Sequence, residues 1–242
     1  MGDPVAGKVV LVAGATGGMG SAVARAAALR GAAVVAVARN GDALADLADA
    51  VTAEGGRVRT HVAAAADPGQ MRAAVEAGVQ EFGRIDAVVN AVGGNITDRA
   101  LEVLSEAGWR DVLAANLDAA FSLTQAALPL FRAQGDGLLL HITSSAAKKP
   151  DQSGAAYQAA KSGVVGLAHA TMQEERERGI RVSVLFPGLT DTPLVAKRPV
   201  PVPAEVMAHA LHPDDVADVC LALLALPPRA YVPEVELYPS RI

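Results

Sequence analysis

Val9-Val10-Leu11-Val12-Ala13-Gly14-Ala15-Thr16-Gly17-Gly18-Met19-Gly20 joins a short apolar, β-branched run to a glycine turn, and an amphipathic stretch from Gly20 to Arg30 follows. A strand, a Gly-x-x-x-Gly-x-Gly turn and a helix in that order leave a turn with few Cβ atoms in front of a helix N-terminus. Unpaired N–H groups and the helix dipole favour an anion there. The glycine pattern alone is weakly specific; its place between an apolar strand and a helix points to the pyrophosphate of a dinucleotide.

Outward from this stretch the same alternation repeats. Val34-Val35-Ala36-Val37 precedes a helical segment from Asp42 to Glu54, and a weaker strand near Val58 to Val62 precedes a helix from Pro68 to Phe82. Ala87-Val88-Val89 then leads into a long helix ending near Arg132. Leu138 to Ile142 and Val182 to Leu185 supply two more apolar strands around a helix from about Ala155 to Arg178. Asp214 to Leu226 and Val232 to Tyr238 read as the last helix and strand. Continuously apolar strands alternating with helices predict a parallel sheet covered on both faces, here a doubly wound α/β Rossmann-type domain with seven strands. At 242 residues, with no interior linker or repeat, the chain 1–242 reads as a single domain. Pro187 to Pro203 carries five prolines and little periodicity, so residues at about 189–212 are expected to form a substrate lid. Its Val, Ala and Pro content points to an apolar substrate.

Composition excludes several classes. Fifty-one alanines and an aromatic share of 3% require a core of small aliphatic side chains and leave little material for base stacking. A net charge of −5 without a basic stripe gives no counterion-release drive toward nucleic acid, so small-molecule partners are expected. Cys220 is the only cysteine, which excludes an internal disulfide and a thiol-rich metal cluster and fits a reducing compartment. His209 and His212 have no accompanying ligand cluster, and no metal is expected. The start, Met1-Gly2-Asp3-Pro4, has no basic leader, and the uncharged run Val9 to Ala24 falls short of the ~20 apolar residues that span a bilayer. No membrane and a cytoplasmic location are the expectation.

The second strand ends at Ala38-Arg39-Asn40, with no carboxylate to bond a ribose 2′-hydroxyl and with a guanidinium fork suited to a 2′-phosphate. A charge-assisted bond of ~1.5–3 kcal/mol predicts a preference for NADP(H) of roughly 10- to 150-fold. Tyr157-Gln158-Ala159-Ala160-Lys161 puts a phenol and an ammonium on one helix face at i, i+4 spacing. A phenol of pKa ~10 needs about 4 kcal/mol to titrate near neutrality, and an ammonium ~4 Å away at an effective dielectric of ~20 is worth a term of that size, which makes the arithmetic possible. Ser144 stands thirteen residues before Tyr157 at a strand end, where a side chain can reach a bound ligand. Asn116 interrupts an apolar helix, and Asn90-Ala91-Val92-Gly93 follows the fourth strand, with Gly93 letting backbone approach a cofactor. Lys148-Lys149 and Lys197-Arg198 could attract an anion but read more simply as solvated loop charge. His141 reads as a hydrogen-bonded core histidine.

In order and spacing these motifs resemble the short-chain dehydrogenase/reductase family along nearly the whole chain. The resemblance implies a catalytic set of Asn116, Ser144, Tyr157 and Lys161. Tyr157 would exchange the proton and Ser144 would bond the substrate oxygen. Lys161 would hold the ribose and lower the phenol pKa, while Asn116 would anchor a relay water. It implies a cofactor site of Gly14, Thr16, Gly18, Met19, Gly20, Arg39, Asn90, Gly93, Tyr157 and Lys161, completed by Pro187, Gly188, Thr190 and Thr192 after the sixth strand. The implied activity is hydride transfer between NADP(H) and a carbonyl or secondary alcohol, in a homodimer or homotetramer. The alternative is a non-catalytic dinucleotide-sensing module of the same fold, which has no need of a proton relay. The sequence departs from the family pattern at Ala13, at Ala91, in the terminal segment Tyr231 to Ile242, and at Ala64, which stands where an adenine-contacting Asp is usual.

Overall fold

Val9, Leu11 and Ala13 of the first strand, β1 (Val9–Ala13), pack into one apolar cluster, and Val10 and Val12 pack into another. Side chains of a strand alternate between faces, so a run apolar at every position is buried on both sides. The computed structural model describes residues 2–241. β2 (Ala33–Ala38), β4 (Ala87–Asn90), β5 (Gly137–Ile142) and β6 (Ile180–Pro187) are buried in the same way, except that Arg181 in β6 is only partly covered. β3 (Arg57–Val62) and β7 (Glu234–Leu237) are half-exposed edges, which is why their hydrophobic pattern is weak. All pairings are parallel, in the order β3-β2-β1-β4-β5-β6-β7, giving the seven-stranded doubly wound sheet read from the sequence. Strand order reverses between β1 and β4, where a crevice opens beyond the strand carboxyl ends.

Helices α1 (Gly18–Leu29), α2 (Gly41–Ala53) and α8 (Pro213–Ala225) cover one face; α3 (Pro68–Phe82), α5 (Ala119–Gln134) and α6 (Ala155–Glu175) cover the other. Alanines on α1, namely Ala22, Ala24, Ala27 and Ala28, let that helix lie close on the sheet. Local chemistry sets the helix starts: Asn40 caps α2, and Asp67, followed by Pro68, caps α3.

Three elements differ from the sequence expectation. The single long helix is α4 (Glu106–Leu113) and α5 joined by a π-helical turn, Ala114–Asp118, that contains Asn116. The helix expected to reach Arg178 ends at Glu175, followed by a 3₁₀ turn over Arg176–Arg178. The last strand is shorter than Val232 to Tyr238. Beyond β6 the chain makes an excursion holding a 3₁₀ turn, Val195–Lys197, and the short helix α7 (Ala204–Met207). Its neck is pinned where Asp191 N–H donates to Leu211 C=O at 2.8 Å and Leu211 N–H to Leu189 C=O at 2.9 Å. Among the described residues no helix is long and apolar enough to cross a membrane, and no His/Cys/Asp/Glu group could hold a metal.

Candidate active site

Gly14 takes φ +82°, a left-handed conformation, and a Cβ there would lie 2.8 Å from the Ala91 carbonyl carbon and oxygen. A Cβ on Gly20 would sit 2.1 Å from Gly14 O, and one on Gly18 would sit 2.9 Å from Thr192 Cγ2. The loop therefore packs against β4 behind and the excursion in front, with space left only for backbone. Three cavities that share lining residues lie along this edge. One, of about 530 Å³, is lined by Gly14, Thr16, Arg39, Asn40, Ala63 and Ala65. The next, of about 310 Å³, reaches from Thr16, Gly18, Met19 and Gly20 to Gly93, Tyr157, Lys161 and Thr192. The last, of about 90 Å³, is bounded by Ser144, Ser145, Tyr157, Pro187, Gly188 and Thr190.

Lys161 is 4% exposed, and its Nζ finds only the carbonyls of Val92 and Ile142, each at 3.5 Å. Burial without a carboxylate lowers its ammonium to about 8. Asn116 is fully buried: its Nδ2 donates to Gly94 O and Val112 O, both at 2.8 Å, and its Oδ1 accepts from Gly94 N–H at 3.3 Å. The π-helical turn is what turns this amide toward the loop after β4, a place helical register alone would not give it. Asn116 lines none of the three cavities; it holds their wall.

Tyr157, buried on the first turn of α6, lies with its ring 5.6 Å from Lys161 Nζ. Burial is the dominant influence on the phenol and pushes it up to about 12; Ser144, Arg99 and Arg198 act to lower it, and Asp151 to raise it. Lys161 is not among the groups that act on the phenol here. The ammonium lies beside the ring, is itself starved of solvation, and contributes no resolved lowering. Of the two adjacent serines, Ser144 is the one that acts on the phenol, while its Oγ accepts from Ala146 N–H at 3.2 Å.

Asn90 lies behind the cavities. Its Oδ1 accepts from Val92 N–H at 3.1 Å and its Nδ2 faces His141 Nδ1 at 3.1 Å, which leaves the ring proton on Nε2, a buried atom without a partner. Burial holds His141 at about 4, so it is neutral. Gly188 N–H donates to Leu237 O at 2.8 Å and Thr190 Oγ1 to Gly188 O at 3.1 Å, shaping the turn after β6. Ala63 and Ala65, not Ala64, face the widest cavity; Ala64 N–H is taken by Gln70.

The sequence reading missed Asn95, Arg99 and Asp151, which line the smallest cavity, and it read Arg198, which also lines it, as solvated. Arg99 sits in the irregular segment between β4 and α4, where no periodicity marks a side chain as buried. Lys148, by contrast, is engaged at the surface by Glu234 and Glu236.

Residues 8–200 match the family model described as short chain dehydrogenase. Cyclohexanol dehydrogenase of Acinetobacter sp. (strain SE19) is 34% identical over 220 residues, 90% of this chain and 88% of that protein. A metagenomic short-chain oxidoreductase solved in complex with NADP superimposes with a TM-score of 0.84 at 30% identity, covering 98% of this chain and 99% of that one. The 3-ketoacyl-(acyl-carrier-protein) reductase of Brucella melitensis, solved with NADH, superimposes with a TM-score of 0.87 at 26% identity, again covering 98% and 99%. The fold, the glycine loop and these matches make the chain a member of the short-chain dehydrogenase/reductase family of oxidoreductases.

Proposed function

We propose that the chain is an NADP(H)-preferring oxidoreductase of small ketones and secondary alcohols, with Tyr157 exchanging the proton. One observation carries this reading: a buried phenol lines, with a buried ammonium, the cavity that the glycine loop borders and, with a serine at a strand end, the cavity beside it. The relative named for cyclohexanol supports the substrate class.

The residues present fit a dinucleotide. Gly14, Gly18 and Gly20 hold a turn whose close packing admits no Cβ, beside a cavity bordered by backbone, and Lys161 is a buried cation with no acid partner among the described residues. Arg39 is exposed at the junction of the two wider cavities, forms no salt bridge among the described residues, and would meet a 2′-phosphate. Neighbours with NADP and with NADH are both known, so Arg39 is what favours the phosphorylated form here.

A bound nicotinamide cofactor supplies or accepts the hydride. In reduction the substrate oxygen would gain the Tyr157 proton. At neutral pH the buried phenol carries the proton it would give in reduction. Ser144 donates to the substrate oxygen, and Asn116 fixes the loop that carries Gly93 and Gly94. Residues 1–242 act as one domain, with 189–212 as the lid over the substrate end.

Tyr157→Phe tests the reading. Carbonyl reduction should fall by about 10²- to 10⁴-fold, the usual worth of a positioned acid or base, while NADPH affinity by fluorescence titration stays near that of the parent. Unchanged reduction would remove the catalytic assignment and leave a cofactor-binding module.

A further inference from the structure

Arg99 is 7% exposed and lines the smallest cavity, yet among the described residues it forms no salt bridge. Its Nε donates to Ile96 O at 2.8 Å and its Nη2 to Lys197 O. Two of the five guanidinium N–H groups are thereby used, and the other three have no acceptor among the described residues. Arg198, at the end of the Val195–Lys197 turn, lines the same cavity, is half-buried, and its side chain also lacks a protein acceptor there.

The one carboxylate on this cavity, Asp151, is engaged elsewhere. Its Oδ1 accepts from Ser153 N–H at 2.8 Å and its Oδ2 from Ser153 Oγ at 3.0 Å. Burial and the neighbouring Arg198 disfavour the Arg99 charge, and Asp151, whose oxygens are taken by Ser153, favours it only as the smaller influence. Burying such charge is costly unless something pairs with it.

The surrounding backbone is built to bring Arg99 in. Gly154, at φ +86°, has no room for a Cβ, which would lie 2.7 Å from both Arg99 Cβ and Arg99 O. Asn95 Nδ2, donating to Ser153 O at 2.9 Å, ties the same loop to the turn before α6. The rest of the cavity supplies an apolar wall of Met19, Leu189, Leu194 and Val195.

We propose that the substrate is a small hydroxy or oxo acid, whose carboxylate is received by Arg99 and Arg198 while its reacting carbon faces Tyr157. The inference rests on the oxidoreductase reading above and names the substrate class for that site. A guanidinium presents parallel donors matched to a carboxylate, and the apolar wall receives a short hydrocarbon body.

Binding and turnover test it separately. Pentanoate and cyclohexanecarboxylate, each against its amide, are titrated by calorimetry into the protein saturated with NADPH, or with NADH if that is the form it binds. At least one acid should bind roughly 10- to 150-fold more tightly than its amide, and the gap should collapse in Arg99→Met and in Arg198→Met. Arg198 lies in the excursion, so its variant reports even if loss of Arg99 impairs folding. Equal affinity of acid and amide in both pairs, or a gap that survives both substitutions, overturns the proposal. In turnover, 4-oxocyclohexanecarboxylate should exceed 4-methylcyclohexanone in kcat/KM by a similar factor. Ketone reduction without acid preference in binding or turnover sinks the acid-binding proposal and leaves the oxidoreductase reading. Arginine-dependent acid binding with no reduction of either ketone supports the acid site and sinks the catalytic reading.

Discussion

A Cβ on Gly93 would lie 2.9 Å from Lys161 Nζ, so the loop after β4 and the ammonium on α6 occupy adjoining space with nothing to spare. Asn116 Oδ1 is equally close, at 2.9 Å. Gly93 is thus needed for the packing of two site side chains as well as for backbone approach to a cofactor.

Gly93→Ala should therefore displace the Lys161 or Asn116 side chain. Overpacking of this size costs about 1–3 kcal/mol, which for a chain of this length lowers Tm by roughly 2–12 °C. Carbonyl reduction should fall with it. Calorimetric unfolding and NADPH oxidation check both, and a variant with parental Tm and rate would show that the packing yields freely.

Gly18 and Thr192 form a second close pair, across the gap between the glycine loop and the excursion. Gly18→Ala should weaken NADPH binding by forcing Thr192 outward. Thr192→Ser removes Cγ2, the atom 2.9 Å from the added methyl, and should restore part of the affinity in the double variant. A cycle of the four proteins should give a coupling of about 0.5–3 kcal/mol, as for residues in direct contact. Strict additivity would place the excursion clear of the loop once cofactor is bound.

What was legible in the sequence is what depends on neighbours along the chain. The strand from Val9 to Ala13 declares burial on both faces, and Asp67-Pro68 declares the start of α3. The edge strand β3 is faint because exposure on its outer side removes the pattern. The π-helical turn at Asn116 was not legible, since its register answers to a bond with Gly94, 22 residues away. Arg99 was hidden for a similar reason: its burial comes from Gly154 and Lys197, which only folding brings to it. Tyr157-x-x-x-Lys161 was readable as a pair, but the electrostatics were not. Burial, a tertiary property that spacing along the chain does not show, is the largest influence on the phenol.

Arg39 governs cofactor choice if a 2′-phosphate rests on it. Arg39→Ala should weaken NADPH by roughly 10- to 150-fold, the worth of one charge-assisted bond, and leave NADH within about twofold. Paired fluorescence titrations with both cofactors read the difference. Tighter binding of NADH than of NADPH by the parent protein would refute the assignment, because no other free cation borders that cavity among the described residues.

His141 gives stability a specific dependence on acid. Burial holds the ring at about 4 in the folded chain, against an ordinary value of 6.5. Above 6.5 it is neutral in both states and contributes nothing to the pH dependence. As pH falls from 6.5 toward 4, the unfolded chain takes up the proton and the folded chain does not, so unfolding is favoured progressively. The full shift is worth roughly 3 kcal/mol at 1.36 kcal/mol per unit, reached once pH drops below about 4. Carboxylates paired in the folded state, such as Glu175 with Arg132 and Arg178, also lose stabilisation on acidification, so the parent curve alone does not isolate the ring. His141→Asn does: its Oδ1 can accept from Asn90 as Nδ1 does, and it does not titrate. Urea unfolding at pH 7 and pH 4.5 should show the variant less stable at pH 7 but losing about 2–3 kcal/mol less than the parent between the two. Equal losses in the two proteins would mean that the ring gains solvent or a partner on protonation, against its enclosure between β4 and β6.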